Sequence, residues 1–308
     1  MYRRCLLLTV SCAAALCVAV RSEPRQQTSP PAQGWAVRAS LGGSRPLYNT
    51  AKQKLLDGKQ IFSTVISRRD PELYCRMAPH YDYVWFEMQH STMSFADVEA
   101  MIAACPRAGI PMIRVPDELE SSMQKATDIG ALGIIMPTVD TVEKALATVR
   151  YSRFPPDGRR SQGGGQASSV WGVNGVNYRQ TANENMLVVA MIETPVGVAN
   201  ALEIARVPGV DVVMGANTDL TNFSGLAATD PEYHALFKKI HDATLTAGKF
   251  LGATTANYAT TGPSGRPDAA DFRMFYTGPS FDGYQPPGRG AATPAPAPDG
   301  RGRGGGAP

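Results

Sequence analysis

An unbroken apolar run, MLVVAMI at residues 186–192, ends on a carboxylate, Glu193, which Thr194 and Pro195 follow. A second carboxylate, Asp219, stands in GANTDL just beyond another apolar run, VDVVMG (210–215). Two carboxylates at the ends of neighbouring buried segments are suited to share one hard divalent cation, Mg2+ or Mn2+. Such an ion takes one or two protein carboxylates and completes its shell with water and substrate oxygens. The competing reading is a salt bridge, for instance Glu193 with Arg114, and residue types alone leave both open. Arg114 falls in PMIRV (111–115) and offers a planar fork for a carboxylate or a developing oxyanion. As a structural residue it would pair with Glu87 or Glu193. Glu87, Gln89 and His90 cluster at the end of YVWFEM (83–88). His90 there has the chemistry of a general base oriented by Glu87, against the plainer role of a structural hydrogen-bonder. Lys52, Lys54 and Lys59 precede the first strand run, Lys125, Lys144, Lys238 and Lys239 lie in helical patterns, and Lys249 begins a strand run. None stands where a strand ends, which disfavours a Schiff-base mechanism.

Positioning these groups falls to a repeating pattern. IFSTVI (61–66), YVWFEM, PMIRV, GIIMP (133–137), LVVAMIE (187–193), VDVVMG, KFLGAT (249–254) and FRMFYTG (272–278) are strand-like, and helical patterns lie between most of them. Continuous apolar runs point to parallel strands covered on both faces, and strand–helix alternation points to βαβ units. Eight units within residues 47–280 predict a (β/α)8 TIM barrel, a fold of typically ~250 residues. A doubly wound open sheet is the rival, but no Gly-rich turn follows the first strand, so a dinucleotide site is not supported. In a barrel, active groups sit where strands end, and Glu87, His90, Arg114, Glu193 and Asp219 all fall there. GRRSQGGGQASS (158–169) is read as a loop offering backbone amides near the barrel mouth, a weak candidate for an anion cradle. TANYATTGPSGRPDAAD predicts a shortened helix after strand seven, and no helical pattern follows strand eight.

Outside the barrel, residues 1–22 carry Arg3 and Arg4 and then an apolar stretch over 5–20. That is the pattern of a secretory signal peptide, and it is shorter than the ~20 residues of a membrane-spanning helix. An exported (periplasmic or secreted) protein without stable membrane insertion is expected. Residues 23–46 read as a disordered linker and 281–308 as a disordered Pro/Gly-rich tail. The net charge of +3 is small and no basic block with interleaved aromatics occurs, so nucleic acid is not an expected partner. Cys5, Cys12 and Cys17 leave with the signal segment. Export would permit Cys75 and Cys105 to pair, yet both read as helix residues in an ample core, and two buried thiols are the expectation.

Five stretches carry a resemblance: YDYVWFEMQHSTMS, PMIRVP, ATDIGALGIIMPTVDTVEKALATVRYSRFPPDGRRS, VVAMIETPVGVANALEIARVPGVDVV and TDLTNFSG. Together, over residues 49–278, they resemble the HpcH/HpaI aldolases, metal-dependent (class II) lyases on a phosphoenolpyruvate/pyruvate-type barrel. The resemblance implies cleavage of a 4-hydroxy-2-oxo acid to pyruvate and an aldehyde via a metal-stabilised pyruvate enolate. It implies Glu193 and Asp219 as ligands of Mg2+ or Mn2+. Arg114 would hold pyruvate, and Gly215, Ala216 and Thr218 would form the substrate-binding loop. His90 would be the acid/base, with Glu87 where the family usually has Asp. Gln89 stands for a frequent Glu, Met191 for a frequent Gln, and GANTDL departs from the usual GPADL loop. In the family a final helix packs on a neighbouring subunit in a hexamer. With no such helix patterned here, the implied partners are a small 2-oxo acid, an aldehyde and at most a homo-oligomer. The alternatives are an exported non-catalytic 2-oxoacid-binding protein on the same barrel, and a citrate-lyase-β-like acyl-CoA lyase.

Overall fold

Each of the eight apolar runs forms a strand, and the strands close on one another. The computed structural model describes residues 47–163, 165–173, 175–255 and 271–284. Its strands are β1 (Ile61–Ile66), β2 (Tyr83–Glu87), β3 (Ile110–Arg114), β4 (Gly133–Met136), β5 (Leu187–Ile192), β6 (Val212–Gly215), β7 (Phe250–Thr255) and β8 (Phe272–Thr277). They pair in parallel in sequence order, and β8 pairs with β1 to close the barrel. That last pairing excludes the open sheet. Helix α1 (Thr50–Leu56) precedes β1, and α2 (Pro71–Met77), α3 (Phe95–Ala104), α4 (Glu120–Asp128) and α5 (Val142–Ser152) follow β1 to β4. The short α6 (Gln166–Trp171) and then α7 (Gly175–Asn185) precede β5. After β5 come α8 (Pro195–Ala199) and α9 (Ala201–Arg206), and after β6 come α10 (Asn217–Ser224) and α11 (Pro231–Thr246).

Helices begin promptly after strands because caps are written into the turns. Asp70 accepts from the Leu73 amide with Pro71 in the first turn, Ser94 and Asp97 form a capping box, and Thr194 accepts from the Gly197 amide behind Pro195.

Strand parity sorts the core. Tyr83, Trp85, Met112, Ile135, Leu187, Val189, Met191, Val212, Met214 and Met274 pack together inside the barrel. Their strand neighbours Val84, Phe86, Ile113, Ile134, Val188, Ala190, Ile192 and Val213 pack outward under the helices. Successive side chains on a strand point to opposite faces. Glu87, Arg114 and Glu193 therefore continue the inward rows at the strand ends. A run that reads as fully buried can thus terminate on a carboxylate, since its next inward position opens on the barrel mouth. Gly133 makes room in the interior, because a Cβ there would lie 2.4 Å from Met112 Cε.

Four expectations are corrected. The stretch after α5 contains helices α6 and α7, not only a loop. It also lies at the end where strands begin, since it leads from a helix into a strand. There Ser161 N donates to Gln124 Oε1 at 3.0 Å and Arg160 pairs with Asp128 at 2.9 Å. It therefore offers no anion cradle at the mouth. The packed chain runs to Tyr284 rather than ending at 280: Tyr284 stacks on His80 with centroids 3.9 Å apart, and His80 pairs with Asp282 at 2.7 Å. Finally, Cys75 of α2 and Cys105 at the end of α3 form a disulfide, with Cα atoms 5.5 Å apart. Consecutive βα units place their helices side by side, which a reading of each helix alone does not reveal. The signal segment, the linker, the stretch after strand seven (256–270) and the tail from 285 lie outside the described residues.

The disulfide closes a loop across a sequence separation of 30. Cys75→Ser/Cys105→Ser is expected to cost about 3 kcal/mol, mainly by freeing the unfolded chain. Calorimetry should read this as a Tm lower by roughly 5–15 °C. Maleimide labelling at Cys75 or Cys105 of the unfolded wild type without prior reduction would contradict the bridge.

Candidate active site

At the mouth, β2 and β3 pair Glu87 with Arg114 in register. Arg114 donates from Nε (2.6 Å) and Nη2 (2.5 Å) to Glu87 Oε2, and the side chains are only 9% and 5% exposed. The Trp85 indole donates to the same oxygen at 3.0 Å. Glu87 Oε1 accepts from the main-chain amides of Gln89 (2.9 Å) and His90 (3.0 Å). Glu87 is therefore the anchor of Arg114 and of the turn carrying His90. Its contact with His90 is to the backbone, which corrects the expectation that it orients the imidazole. The His90 side chain is exposed and borders the mouth cavity. Arg114 Nη1 approaches Met191 Sδ at 4.0 Å, and the guanidinium carbon lies 5.6 Å from the Trp85 ring.

Glu193 follows β5 and is 1% exposed. Its Oε1 accepts from the amide of Thr138 at 2.6 Å, and Thr138 Oγ1 lies 3.4 Å away. Asp219 sits in the first turn of α10, near enough for its charge to act on the Glu193 carboxyl. Of the two readings of Glu193, the salt bridge with Arg114 is not formed, because that cation is committed to Glu87. Burial pushes the Glu193 carboxyl up to about 7, the Thr138 amide opposing it and the charge of Asp219 adding to it.

Two carboxylates close enough to repel each other form a donor set fitted to a hard divalent ion. Among the described residues no cluster of three or more His, Cys, Asp or Glu gathers. The chain would thus contribute only part of a shell and leave positions for water and substrate, as Mg2+ and Mn2+ sites do.

The titration of Glu193 has a sign that can be checked. A carboxyl whose folded pKa is raised contributes stability that is complete below its unfolded pKa and fades as pH rises through the folded value, here about 7. The Tm of metal-free wild type, measured against Glu193→Gln, is expected to fall between pH 5 and pH 8, on the order of one to two pH units either side of the titration. Parallel Tm curves for the two proteins would refute this burial effect.

A cavity of about 590 Å3 joins the parts, lined by Trp85, His90, Arg114, Met191, Ala216, Asn217, Thr218, Asp219, Thr254, Tyr276 and Thr277. Of the anticipated substrate loop, Ala216 and Thr218 line it. Gly215 does not: a Cβ there would lie 2.6 Å from Phe237 Cζ, so this glycine lets α11 pack close against β6. Trp85, Thr254 and Tyr276 escaped the reading of residue types, although each has inward parity near a strand end. Thr138 escaped it too, and carries no sequence signal. It is a β-branched residue at φ +49°, a conformation such residues rarely adopt.

A closed parallel barrel with acidic side chains and a buried arginine at its C-terminal mouth defines a TIM-barrel protein. Residues 74–260 match the family model for HpcH/HpaI aldolase/citrate lyase, and the chain belongs to that family. It is 33% identical over 175 residues to the hydroxypyruvate/pyruvate aldolase of Delftia acidovorans, covering 56% of this chain and 65% of that one. It is 34% identical over 167 residues to the 4-hydroxy-2-oxovalerate aldolase of Novosphingobium aromaticivorans, covering 53% and 62%. The chain thus spans slightly less than two thirds of the length of these relatives. The crystal structure of an HpcH/HpaI aldolase/citrate lyase family protein from Burkholderia cenocepacia superposes with a TM-score of 0.66 at 25% identity, covering 75% and 92%.

Proposed function

We propose that this protein is a divalent-metal-dependent aldolase that cleaves a 4-hydroxy-2-oxo acid to pyruvate and an aldehyde. The observation that carries the proposal is that Arg114 and Asp219 line one cavity, with the buried Glu193 carboxyl beside Asp219. Glu193 and Asp219 would hold Mg2+ or Mn2+, which when bound supplies Lewis-acid polarisation of the 2-oxo acid. Arg114, locked through Nε and Nη2 onto Glu87, turns Nη1 toward the cavity. From there it donates to the substrate carboxylate and to the enolate oxygen as charge develops. His90, free to reach into the cavity from its Glu87-anchored turn, takes the proton of the 4-hydroxyl during cleavage and returns it in condensation. Trp85, Met191 and Tyr276 form the apolar wall that keeps water from the carbanionic carbon. The activities of the Delftia and Novosphingobium relatives support the same reaction class. The Cys75–Cys105 bridge supports export, since structural disulfides persist in oxidising compartments.

The test is deuterium exchange into the pyruvate methyl group with and without Mn2+, followed by condensation with a panel of aldehydes. Metal-dependent exchange is expected. Pyruvate binding with no exchange at any metal concentration would instead favour a non-catalytic 2-oxoacid-binding protein.

A further inference from the structure

The turn between β4 and α5 is tied to the elbow between β5 and α8 at several points. Val139 N donates to Met191 O at 2.8 Å, continuing the β4–β5 pairing beyond the strands. Asp140 Oδ1 accepts from Thr194 Oγ1, and Asp140 O accepts from Asn200 Nδ2 at 2.7 Å. Thr194 Oγ1 in turn accepts from Gly197 N at 3.0 Å, and a Cβ on Gly197 would lie 2.9 Å from Val139 O. Thr138 lies in this turn at φ +49° and directs its amide to Glu193 Oε1. A threonine is held in a left-handed conformation only where its surroundings over-determine it, and such strain gathers at functional sites.

We propose that Asp140 and Thr138 are positioning residues for the metal-ligand carboxylate. Asp140 clamps the two turns together, and the clamp forces Thr138 into the geometry that pins one Glu193 oxygen and leaves the other for the cation. This rests on Glu193 being a metal ligand, as proposed above. It goes further in assigning a role to two residues that do not line the cavity.

The experiment measures Mn2+ affinity by calorimetry and hydrogen exchange at the Thr138 amide in metal-free protein. Asp140→Ala is expected to weaken Mn2+ binding 10- to 100-fold, the usual cost of losing a group that orients a ligand, and to speed exchange at Thr138. Asp140→Asn, which keeps an acceptor for Thr194, should restore both. Thr138→Gly should weaken Mn2+ binding while leaving Tm equal to or above wild type, because it relieves the left-handed residue. A purely structural clamp would lower Tm and affinity together. Glu193→Ala reports the ligand reading separately: unchanged Mn2+ affinity in that variant refutes the metal site, while the exchange readout still tests the clamp. Affinity within twofold of wild type in Asp140→Ala, or unaltered exchange at Thr138, overturns the proposal.

Discussion

Glu193→Ala is expected to fold like wild type and to lose metal-dependent enolisation of pyruvate by three orders of magnitude or more. The charge of Asp219 acts on Glu193, so the substitution removes one of the two carboxylates proposed to hold the cation. Lewis-acid stabilisation of a developing enolate is worth several kcal/mol, and each 1.36 kcal/mol is tenfold in rate. Stability should move the other way. Glu193 is almost fully buried and its charged form is disfavoured there, so at pH 8 the alanine variant should melt at or above the wild-type temperature. The pairing of lost exchange with retained or raised Tm separates a ligand from a structural carboxylate. Exchange within tenfold of wild type, or a collapse of the fold, would remove Glu193 from the reaction.

Arg114→Met is expected to damage both chemistry and fold. Removing one preorganised donor to an oxyanion typically costs 10²–10³ in turnover, and exchange at the pyruvate methyl group should fall by about that factor. The fold suffers because Glu87 is left buried with only amides and the Trp85 indole as partners. Breaking one side of a buried pair usually costs about 3–5 kcal/mol. The double variant Arg114→Met/Glu87→Gln should regain part of that stability, since it no longer buries a lone charge, and none of the activity. Chemical denaturation of the three proteins measures the recovery. A double variant no more stable than Arg114→Met would mean that Glu87 is not charged in the fold.

Much of this arrangement is legible before any coordinates. The apolar runs and the helical patterns between them locate the βα units, and the position of Glu193 at the end of MLVVAMI already places it at a strand end. Partnership is less legible. Arg114 could equally have faced Glu87 or Glu193, because both stand at inward strand ends; only the register of β2 against β3 decides it. Cys75 and Cys105 belong to separate helices, and only the wrapping of the barrel brings them together. Helix α10 begins on Asn217 and Thr218, residues more at home in caps and turns than in helix interiors, so Asp219 reads as a loop residue although it opens a helix. Thr138 has no signal, since its conformation is imposed by the clamp around it.

The disulfide also has a topological consequence. It turns residues 75–105 into a covalent ring, and that ring contains β2, the carboxylate of Glu87 and the exposed turn bearing His90. A protease cutting this turn would open a circle without shedding a fragment. The two new termini would stay joined through sulfur, and the barrel would keep its second strand.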